Sequence, residues 1–352
     1  VSRFRRKKHR RDSISPAVTV IIVAHNEEAN IRDKIENTLS FDYPREKLEV
    51  IVGSDGSSDG TVGIVQSQAS AGISLVESKE RKGKHHVQML ACSAARGEIL
   101  VFTDATIRAE PDVLRKIVSH FADPSIGAVC SIDQVTEPRK GWKGEHFYVY
   151  GEMGLRRMEA QISSLVSLSG ALFGVRREVC TAWHPDMSSD FFLALHTVER
   201  GYRAVLDPEC RAQLGVVKSQ KAELTRKVRT IVHGLVVFFE HLNLLNPFRY
   251  GLFAWQVMSH KLFRWLIPFA VIAAFTSNIF LWPRGRFYQA ALIIQAAGYL
   301  AGLLSYVSHR LTQWAPFKLA HFFVLGNAAT LVAWWKFWHG DKLVTWEPSR
   351  RS

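Results

Sequence analysis

The chain has 352 residues, of which 47% are hydrophobic and 22% charged, and its formal net charge is +13. This length is enough for one large domain or two smaller ones with real cores. The four cysteines are widely spaced without a C-x-x-C pair, which argues against a disulfide framework or a cysteine zinc site and favours buried free thiols in a reducing compartment. The positive charge suits nucleic acid, an anionic membrane surface or phosphorylated substrates.

Much of this charge lies near the start of the chain, in the segment RFRRKKHRR at residues 3–11. Such a run is typical of a solvated tail or of a juxtamembrane anchor for acidic lipids. Apolar helices later in the chain favour the anchor, so residues 1–16 are predicted to be a basic juxtamembrane tail. The chain begins with Val, which suggests a missing upstream segment such as another membrane helix. Nucleic acid is not an expected partner, because no nucleic-acid-binding motif accompanies the charge.

Strand and helix signals alternate after this tail. Apolar, β-branched runs predict strands at residues 17–26, 48–57, 73–80, 98–106 and 126–132. Helical spacing separates them at residues 27–41, 83–96 and 111–121. This alternation predicts a mostly parallel sheet with right-handed crossovers. Farther on, a helix is predicted at residues 145–162, a strand within 167–179, a capped helix at 188–202 and a short strand at 203–209.

Polar segments follow three of these strands directly. AHNEE, SDGSSDG and TDAT come at the points where the runs at 17–26, 48–57 and 98–106 end. Solvent-facing turns are one interpretation. In parallel sheets, however, ligands bind beyond the carboxyl ends of strands. Three acidic or polar corners at one edge therefore predict a ligand pocket.

The last third of the chain is strongly apolar. Residues 234–261 mix aromatic and aliphatic side chains with charges, which suits interfacial helices. Three runs at 265–283, 287–308 and 319–335 approach the roughly 20 residues that span a bilayer core. Buried soluble helices are the alternative, but three runs in succession favour about three transmembrane helices within residues 262–336. The basic tail at 337–352 favours a cytoplasmic C-terminus, whereas three spans from a cytoplasmic domain would end outside, so the sequence leaves the orientation open.

The order of these motifs resembles that of membrane-bound family 2 glycosyltransferases. The segments that carry the resemblance are VIIVAHNEEANI, VGSDGSSDGT, RKGK, ILVFTDAT, SSDFFLALHTVERGY and RKVRTIVHG. The relatives include cellulose, chitin, hyaluronan and poly-N-acetylglucosamine synthases and bacterial exopolysaccharide glycosyltransferases. The resemblance covers nearly the whole chain and implies a GT-A fold at residues 17–233. That fold is an α/β, Rossmann-like domain with a mostly parallel sheet, here followed by interfacial and transmembrane helices.

The resemblance also implies an activity. An inverting transferase would move a sugar from a nucleotide-sugar, expected to be a UDP-sugar, to a polysaccharide or lipid-linked acceptor. The enzyme would be a multi-pass protein of the bacterial inner membrane with its catalytic domain in the cytoplasm. Partners would be the donor, the acceptor, the lipid bilayer and polysaccharide synthesis or export proteins. The alternative is a catalytically silent nucleotide-binding subunit, since Thr106 and Ser189 stand where relatives often carry acids.

The nucleotide is expected at the polar strand ends. The resemblance makes Asp55 a contact for uracil or ribose, whereas Asp59 could equally cap the following helix. Glu27 is expected at the nucleoside, against a rival role in the helix dipole, and Lys84 at a phosphate or base, against a solvated loop. The predicted nucleotide-binding residues are Ala24, Asn26, Glu27, Asp55, Asp59, Lys84, Asp104, Arg226 and Arg229.

The chemical step is assigned to two further motifs. Asp104 aligns with the first Asp of the D-x-D motif and would ligate Mg²⁺ or Mn²⁺, with the diphosphate completing the shell. Asp190 stands where relatives place the catalytic base, which removes the acceptor hydroxyl's proton during inversion. The resemblance puts Ser169 and Gly170 in the acceptor-side loop, where a structural glycine turn is an equal alternative.

The basic segment TRKVRT replaces the Q-x-x-R-W motif of processive synthases. Arg229 is the expected phosphate contact, whereas Arg226 could equally be a membrane-surface charge. The missing Gln and Trp argue against processive synthesis. Isolated histidines such as His196, His233 and His321 are interpreted as structural or surface residues.

Overall fold

The computed structural model describes residues 9–135, 143–181, 183–214, 220–308, 311, 314–341 and 343. Eight strands form one sheet in the order β3-β2-β1-β4-β7-β6-β8-β5. The strands are β1 (Val18–Ala24), β2 (Leu48–Asp55), β3 (Ile73–Ser78), β4 (Ile99–Asp104), β5 (Arg108–Ala109), β6 (Ile126–Val135), β7 (Leu172–Arg176) and β8 (Arg203–Leu214). Each strand predicted from the sequence is present, and β8 is longer than predicted.

The sheet is parallel in one half and mixed in the other. Strands β3, β2, β1 and β4 run parallel to one another, whereas β7 runs antiparallel to both β4 and β6. Thr103 near the end of β4 pairs with Leu172 at the start of β7. The reversal of β7 therefore brings residues 169–171 to the carboxyl end of β4, where the sequence predicts the ligand.

Helices cover both faces of the sheet. Those of the α/β region are α1 (Glu28–Leu39), α2 (Thr61–Ser67), α3 (Lys84–Ala94), α4 (Val113–Ser119), α5 (Lys143–Ile162) and α6 (Ser189–Glu199). Alternate strand residues point to opposite faces. Ile21 and Phe102 join the core cluster that contains α3 and α6, while Ile22 and Val101 join the one under α1 and α4.

The remaining helices are α7 (Gln220–Glu240), α8 (Pro247–Tyr250), α9 (Leu252–Val257), α10 (Arg264–Phe280), α11 (Arg286–Val307) and α12 (Ala315–Trp338). Within the part of the chain that the structure describes, three helices are long and apolar enough to cross a membrane: Leu252–Phe280, Arg286–Val307 and Ala315–Trp338. The first begins earlier than predicted, because a π-helical turn joins α9 to α10 without a break. The predicted boundary between residues 233 and 234 falls inside α7, which is continuous.

The described part of the basic N-terminal segment lies against the α/β domain. Arg11 pairs with Asp207 at 3.2 Å and with Glu209 at 3.3 Å, and the His9 ring contacts that of His120. The predicted basic tail therefore packs on the domain at His9 and Arg11, whereas residues 1–8 lie outside the described residues. Most of the basic tail predicted at 337–352 also lies outside them. The cysteines are free, although Cys92 and Cys180 lie with their sulfurs 3.0 Å apart.

Candidate active site

A cleft of about 290 Å³ opens where the carboxyl ends of β1 and β4 meet the start of β7. Its walls come from α3, α6 and α7. Seventeen residues line it: Val23, Glu27, Lys84, His85, Asp104, Ala105, Thr106, Asp133, Gly170, Ala171, Ser188, Asp190, Leu214, Arg226, Arg229, Thr230 and His233. The cleft combines four carboxylates with three basic side chains of Lys and Arg, which suits a polar, charged ligand.

Asp104 is the acid at the end of β4, and its side chain is 34% exposed. Lys84, the first residue of α3, reaches across the cleft and places its Nζ 2.5 Å from Asp104 Oδ1. The same Nζ donates to the Gly170 carbonyl at 3.4 Å. The ammonium group of Lys84 therefore links the two sides of the cleft that β4 and the loop before β7 provide.

The residues around Asp104 fit an oxygen-ligated divalent cation. The Asp104 carboxylate is accessible, and Thr106, two residues later in the sequence, also lines the cleft. Hard cations such as Mg²⁺ take one or two carboxylates together with substrate phosphates and water. The Lys84 ammonium already holds one carboxylate oxygen, which shows that this position favours positive charge.

Asp190 faces this region from the first turn of α6. The Ser188 hydroxyl donates to Asp190 Oδ1, which orients the carboxylate. Gly170 lies opposite: a Cβ atom there would come 3.6 Å from Asp190 Oδ2, in ordinary van der Waals contact. Gly170 and Asp190 thus lie side by side in the cleft lining, and Ser188 contacts the other carboxylate oxygen, Oδ1. A carboxylate at a cleft wall is where a base could reach a hydroxyl.

Ser189, where relatives often carry an acid, points away from the cleft. It is 2% exposed, and its hydroxyl donates to Gln88 Oε1 at 2.7 Å. The position ties α6 to α3 rather than facing a ligand. The absence of an acid at residue 189 therefore removes no charge from the cleft.

The two residues of the predicted acceptor-side loop have different surroundings. Ser169 is fully buried, and its hydroxyl donates to the Asp133 carboxylate and accepts from the Ala171 N–H at 3.1 Å. Ser169 thus shapes the loop, whereas Gly170 and Asp133 line the cleft. Asp133 lies near the end of β6 and was missed by the sequence reasoning, although a polar residue at a strand's carboxyl end is the signal used for Asp104.

One face of α7 forms the basic wall. Arg226, Arg229 and His233 line the cleft at intervals of three and four residues, which places them on the same side of a helix. Burial lowers the pKa of Arg229, and the nearby charges of Arg226 and Arg81 lower it further. Arginines held close against this repulsion favour an anion between them. His233, which the sequence left as a structural or surface residue, is buried, with its Nε2 3.1 Å from the Leu343 carbonyl, and it also lines the cleft. Its helical spacing from the arginines is a signal that could have placed it there.

Asp55 is brought to the same edge of the sheet but does not line the cleft. Its side chain is fully buried, and it accepts hydrogen bonds from the backbone N–H of Lys82 at 2.8 Å and of Gly83 at 3.0 Å. The sequence treated this carboxylate as available to uracil or ribose. In the structure it fixes the loop that presents Lys84, because two backbone donors in that loop have it as their acceptor.

The other predicted nucleotide residues divide between structure and cleft. Glu27 lines the cleft and accepts from Asn30 Nδ2 at 2.7 Å. Asn26 has a positive φ of 51° and accepts from the Ser58 N–H at 2.8 Å, which joins the corners after β1 and β2. Asp59 accepts from the Thr61 and Glu28 N–H groups, the helix-start role that the sequence left open. Ala24 is fully buried at the end of β1.

His85 is a cleft residue that the sequence did not assign. Its Nδ1 lies 3.2 Å from both Gln88 Oε1 and Ser189 Oγ. Burial holds the pKa of His85 well below its usual value, and His233 and Lys84 add to this effect. The imidazole is therefore neutral at physiological pH. It contributes a hydrogen-bonding wall beside Lys84 rather than a further positive charge.

Lys34 is fully buried near the end of β4, beside Asp104. We expect its burial to make the stability of the fold depend on pH. Its Nζ donates to Thr103 Oγ1 at 3.0 Å and to the Ile107 carbonyl at 2.8 Å. Burial lowers its pKa to about 7, and Arg108 contributes in the same direction, against Asp104. The unfolded chain keeps this proton up to about pH 10.4. The unfolded state therefore binds more protons above pH 7, and stability rises with pH there.

Lys34→Met should remove this contribution. We expect the free energy of unfolding of the wild type, relative to the variant, to rise between pH 7 and 9 by at most about 1.4 kcal/mol per pH unit. Thermal unfolding in detergent at several pH values measures the difference. Lys47→Met, which changes an exposed lysine, is the control and should follow the wild type. Parallel curves for the wild type and Lys34→Met would show that Lys34 is charged throughout.

Known proteins share this architecture. Residues 19–182 match the glycosyl transferase family 2 domain. The mannosyltransferase PcManGT from Pyrobaculum calidifontis, solved in complex with GDP-Man and Mn²⁺, superposes with a TM-score of 0.71 at 26% identity. That superposition covers 94% of this chain and 91% of the mannosyltransferase.

Two curated relatives match shorter stretches. Glycosyltransferase AglE of Haloferax volcanii is 27% identical over 146 residues, which are 41% of this chain and 48% of that protein. The beta-monoglucosyldiacylglycerol synthase of Synechocystis sp. is 30% identical over 118 residues, 32% of this chain and 25% of that protein. The chain thus spans about half or less of the length of these relatives. The predicted resemblance and the GT-A, Rossmann-like fold are confirmed, with a sheet that is mixed rather than parallel throughout: residues 19–182 match the glycosyl transferase family 2 model, and helices long and apolar enough to span a membrane follow the α/β region.

Proposed function

We propose that the chain is an inverting glycosyltransferase that moves a sugar from a nucleotide-sugar to a lipid or lipid-linked acceptor at a membrane surface. The observation that carries the proposal is the placement of Asp104 and Asp190 on two sides of one cleft that also holds Arg229. An acid beside a cationic wall suits a diphosphate, and a second, separately oriented acid suits proton transfer from an acceptor. Inversion in a single displacement step needs the diphosphate to leave while the base removes the acceptor's proton, so both acids must lie in the same cleft.

Each residue has a distinct task in this proposal. Arg226 and Arg229 hold the diphosphate through charge-assisted hydrogen bonds, and Lys84 holds the phosphate side of the donor near Asp104. Asp190, oriented by Ser188, accepts the acceptor hydroxyl's proton while Gly170 leaves space for the acceptor sugar or headgroup. Asp104 would hold the divalent cation, Mg²⁺ or Mn²⁺, which neutralises charge on the leaving nucleoside diphosphate when bound.

Contact between α7 and the apolar helices favours an acceptor in the membrane. On one side of α7, Val228 and Val232 pack against Ala329 and Ala333 of α12, a candidate span. On another side, the arginines of the same helix line the cleft. A helix that contacts both supports a position of the cleft beside the bilayer. The Synechocystis relative is a monoglucosyldiacylglycerol synthase by name, which supports a lipid acceptor, and a polysaccharide is the second choice.

The donor divides into two candidates. The motif order predicts a UDP-sugar. The likeness to a mannosyltransferase in complex with GDP-Man, over nine-tenths of both chains, favours GDP-mannose as the second candidate. Incubation of washed membranes with UDP-glucose, UDP-N-acetylglucosamine, UDP-glucuronic acid or GDP-mannose distinguishes them by the nucleoside diphosphate that is released. We expect release with one nucleotide class only; no release with any donor would support a silent nucleotide-binding subunit.

Arg229→Gln should weaken donor use more than it weakens folding. A hydrogen bond to a charged group contributes about 1.5–3 kcal/mol, so kcat/KM for the donor should fall about 10- to 150-fold. This fall in kcat/KM should come mainly from a higher KM for the donor, because the guanidinium contacts the diphosphate before and during transfer. Lys227→Gln removes a charge from the same helix outside the cleft lining and is the control. Equal effects of the two changes would contradict a specific phosphate contact.

A further inference from the structure

A second cluster of potential ligands lies away from the cleft, at the far end of α6. His196 and Glu199 stand one turn apart in the last turn of α6, and His241 follows the end of α7. Their nearest ligand atoms all lie within 4.8 Å of one another. Asp190 lies in the first turn of the same helix, six to nine residues earlier and roughly 9–14 Å along its axis. The interpretation of His196 as an isolated histidine is therefore incomplete.

The distances suit a tetrahedral cation. His196 Nδ1 is 3.4 Å from Glu199 Oε2, and His241 Nε2 is 3.5 Å from the same oxygen. Zinc bonds to His nitrogen and carboxylate oxygen are about 2.0–2.2 Å, which puts neighbouring ligands of a tetrahedral site about 3.3 Å apart. Small adjustments of the side chains would therefore bring all three atoms onto one ion.

The opposite side of each ligand is already occupied by a second partner. His241 Nδ1 lies 2.7 Å from the Val237 carbonyl, which can only accept, so this nitrogen carries the hydrogen and Nε2 is the atom directed at Glu199. The Asn243 amide donates to Glu199 Oε1 at 2.7 Å. His196 Nε2 lies 3.2 Å from the Thr181 hydroxyl. Such outer contacts are what orient the ligands of metal sites.

The rings are also held by packing. Phe192 stacks on the His196 ring at a centroid distance of 5.4 Å and meets the His241 ring edge-on at 5.4 Å. The His241 side chain is 7% exposed, and those of His196 and Glu199 are 18% and 21% exposed. The cluster is thus shielded on one side and open on the other, where water could be a fourth ligand.

We propose that His196, Glu199 and His241 form a binding site for a zinc-class divalent cation, separate from the cleft. Two imidazoles and one carboxylate are ligands that suit zinc and its neighbours rather than Mg²⁺. The ion would join the end of α6, whose first turn carries Asp190, to the end of α7, which carries Arg226 and Arg229. The site would therefore be structural, fixing two cleft walls relative to each other.

The test uses the full chain without a polyhistidine tag, in detergent, after removal of metals with a chelator. The protein carries Asp104→Asn, which removes the expected cation ligand of the cleft, so that any bound Zn²⁺ reports on the second cluster. Zn²⁺ alone is added, and bound Zn²⁺ is measured by competition with a chromophoric chelator and by the shift in Tm. We expect one equivalent of Zn²⁺ and a higher Tm, because ligand binding stabilises the folded state.

His241→Gln and Glu199→Gln, each in that background, should weaken Zn²⁺ binding on the order of 100-fold or more and abolish the Tm shift. His184→Gln removes an exposed histidine elsewhere and should leave both unchanged. Circular dichroism of the metal-free variants checks folding, and the intensity of Co²⁺ absorption in the visible reports tetrahedral coordination in the parent. The proposal is overturned if the parent binds no Zn²⁺, which would make the cluster an ion pair only, or if the folded His241→Gln protein binds Zn²⁺ as tightly as the parent.

Discussion

Asp190→Asn should abolish sugar transfer while leaving nucleotide binding intact. An amide cannot accept the acceptor's proton, and loss of a general base costs on the order of 10²–10⁴-fold in rate. The shape of the residue is kept, and the Ser188 hydroxyl can still donate to the amide oxygen that replaces Asp190 Oδ1. We therefore expect kcat to fall and KM for the donor to change little, as measured by release of nucleoside diphosphate with acceptor membranes present.

The matched control is Asp112→Asn, an exposed acid whose carboxylate pairs with Lys116 at 2.8 Å on the domain surface. It should transfer sugar at the wild-type rate. Calorimetry with UDP and with GDP measures nucleotide binding in each variant. If Asp190→Asn transfers sugar at the wild-type rate, Asp190 is not the general base.

Asp104→Asn should lose both divalent-cation binding in the cleft and most of the activity. Asp104 is the exposed acid at the end of β4, and it also holds the Lys84 ammonium. Removal of one electrostatic contact to developing charge costs on the order of 10²–10³-fold. We expect the rate of transfer to fall by at least that factor. Nucleotide binding should also no longer depend on Mn²⁺, which calorimetry with and without the metal measures.

Chelation supplies the complementary measurement. The wild type should lose activity in EDTA and recover it with added Mn²⁺ or Mg²⁺, whereas Asp104→Asn should respond to neither. Asp42→Asn changes an exposed acid that pairs with Arg115 and should behave as the wild type does. Full activity of the wild type after complete chelation would contradict a metal-dependent mechanism and leave Lys84 as the group that balances the diphosphate charge.

The sheet and its ligand edge were predictable because local periodicity and strand-end chemistry both follow from neighbouring residues. β-branched runs gave β1, β2 and β4, and the polar corner after each lies at one edge. The antiparallel insertion of β7 was not predictable, because it depends on pairing between residues 99–103 and 172–176, far apart in the chain. That pairing is what sets Gly170 opposite Asp190.

Side-chain roles were harder to predict than side-chain locations. Asp55 reaches the expected strand end, yet backbone donors of a loop 27 residues away take its carboxylate. Asp104, Asp190, Arg226 and Arg229 line one cleft, as the motif order suggests. His85, Asp133 and His233 line it too. The strand-end position of Asp133 and the helical spacing of His233 from Arg226 and Arg229 are sequence signals that could have found two of the three.

A structure of the full chain with Mn²⁺ and a nucleoside diphosphate, determined in lipid nanodiscs, tests the central claim most directly. The account predicts the metal on Asp104, the diphosphate against Arg229, and the Asp190 carboxylate facing the space where the sugar would attach. A nucleotide bound in another hollow, or a metal with no contact to Asp104, would contradict it.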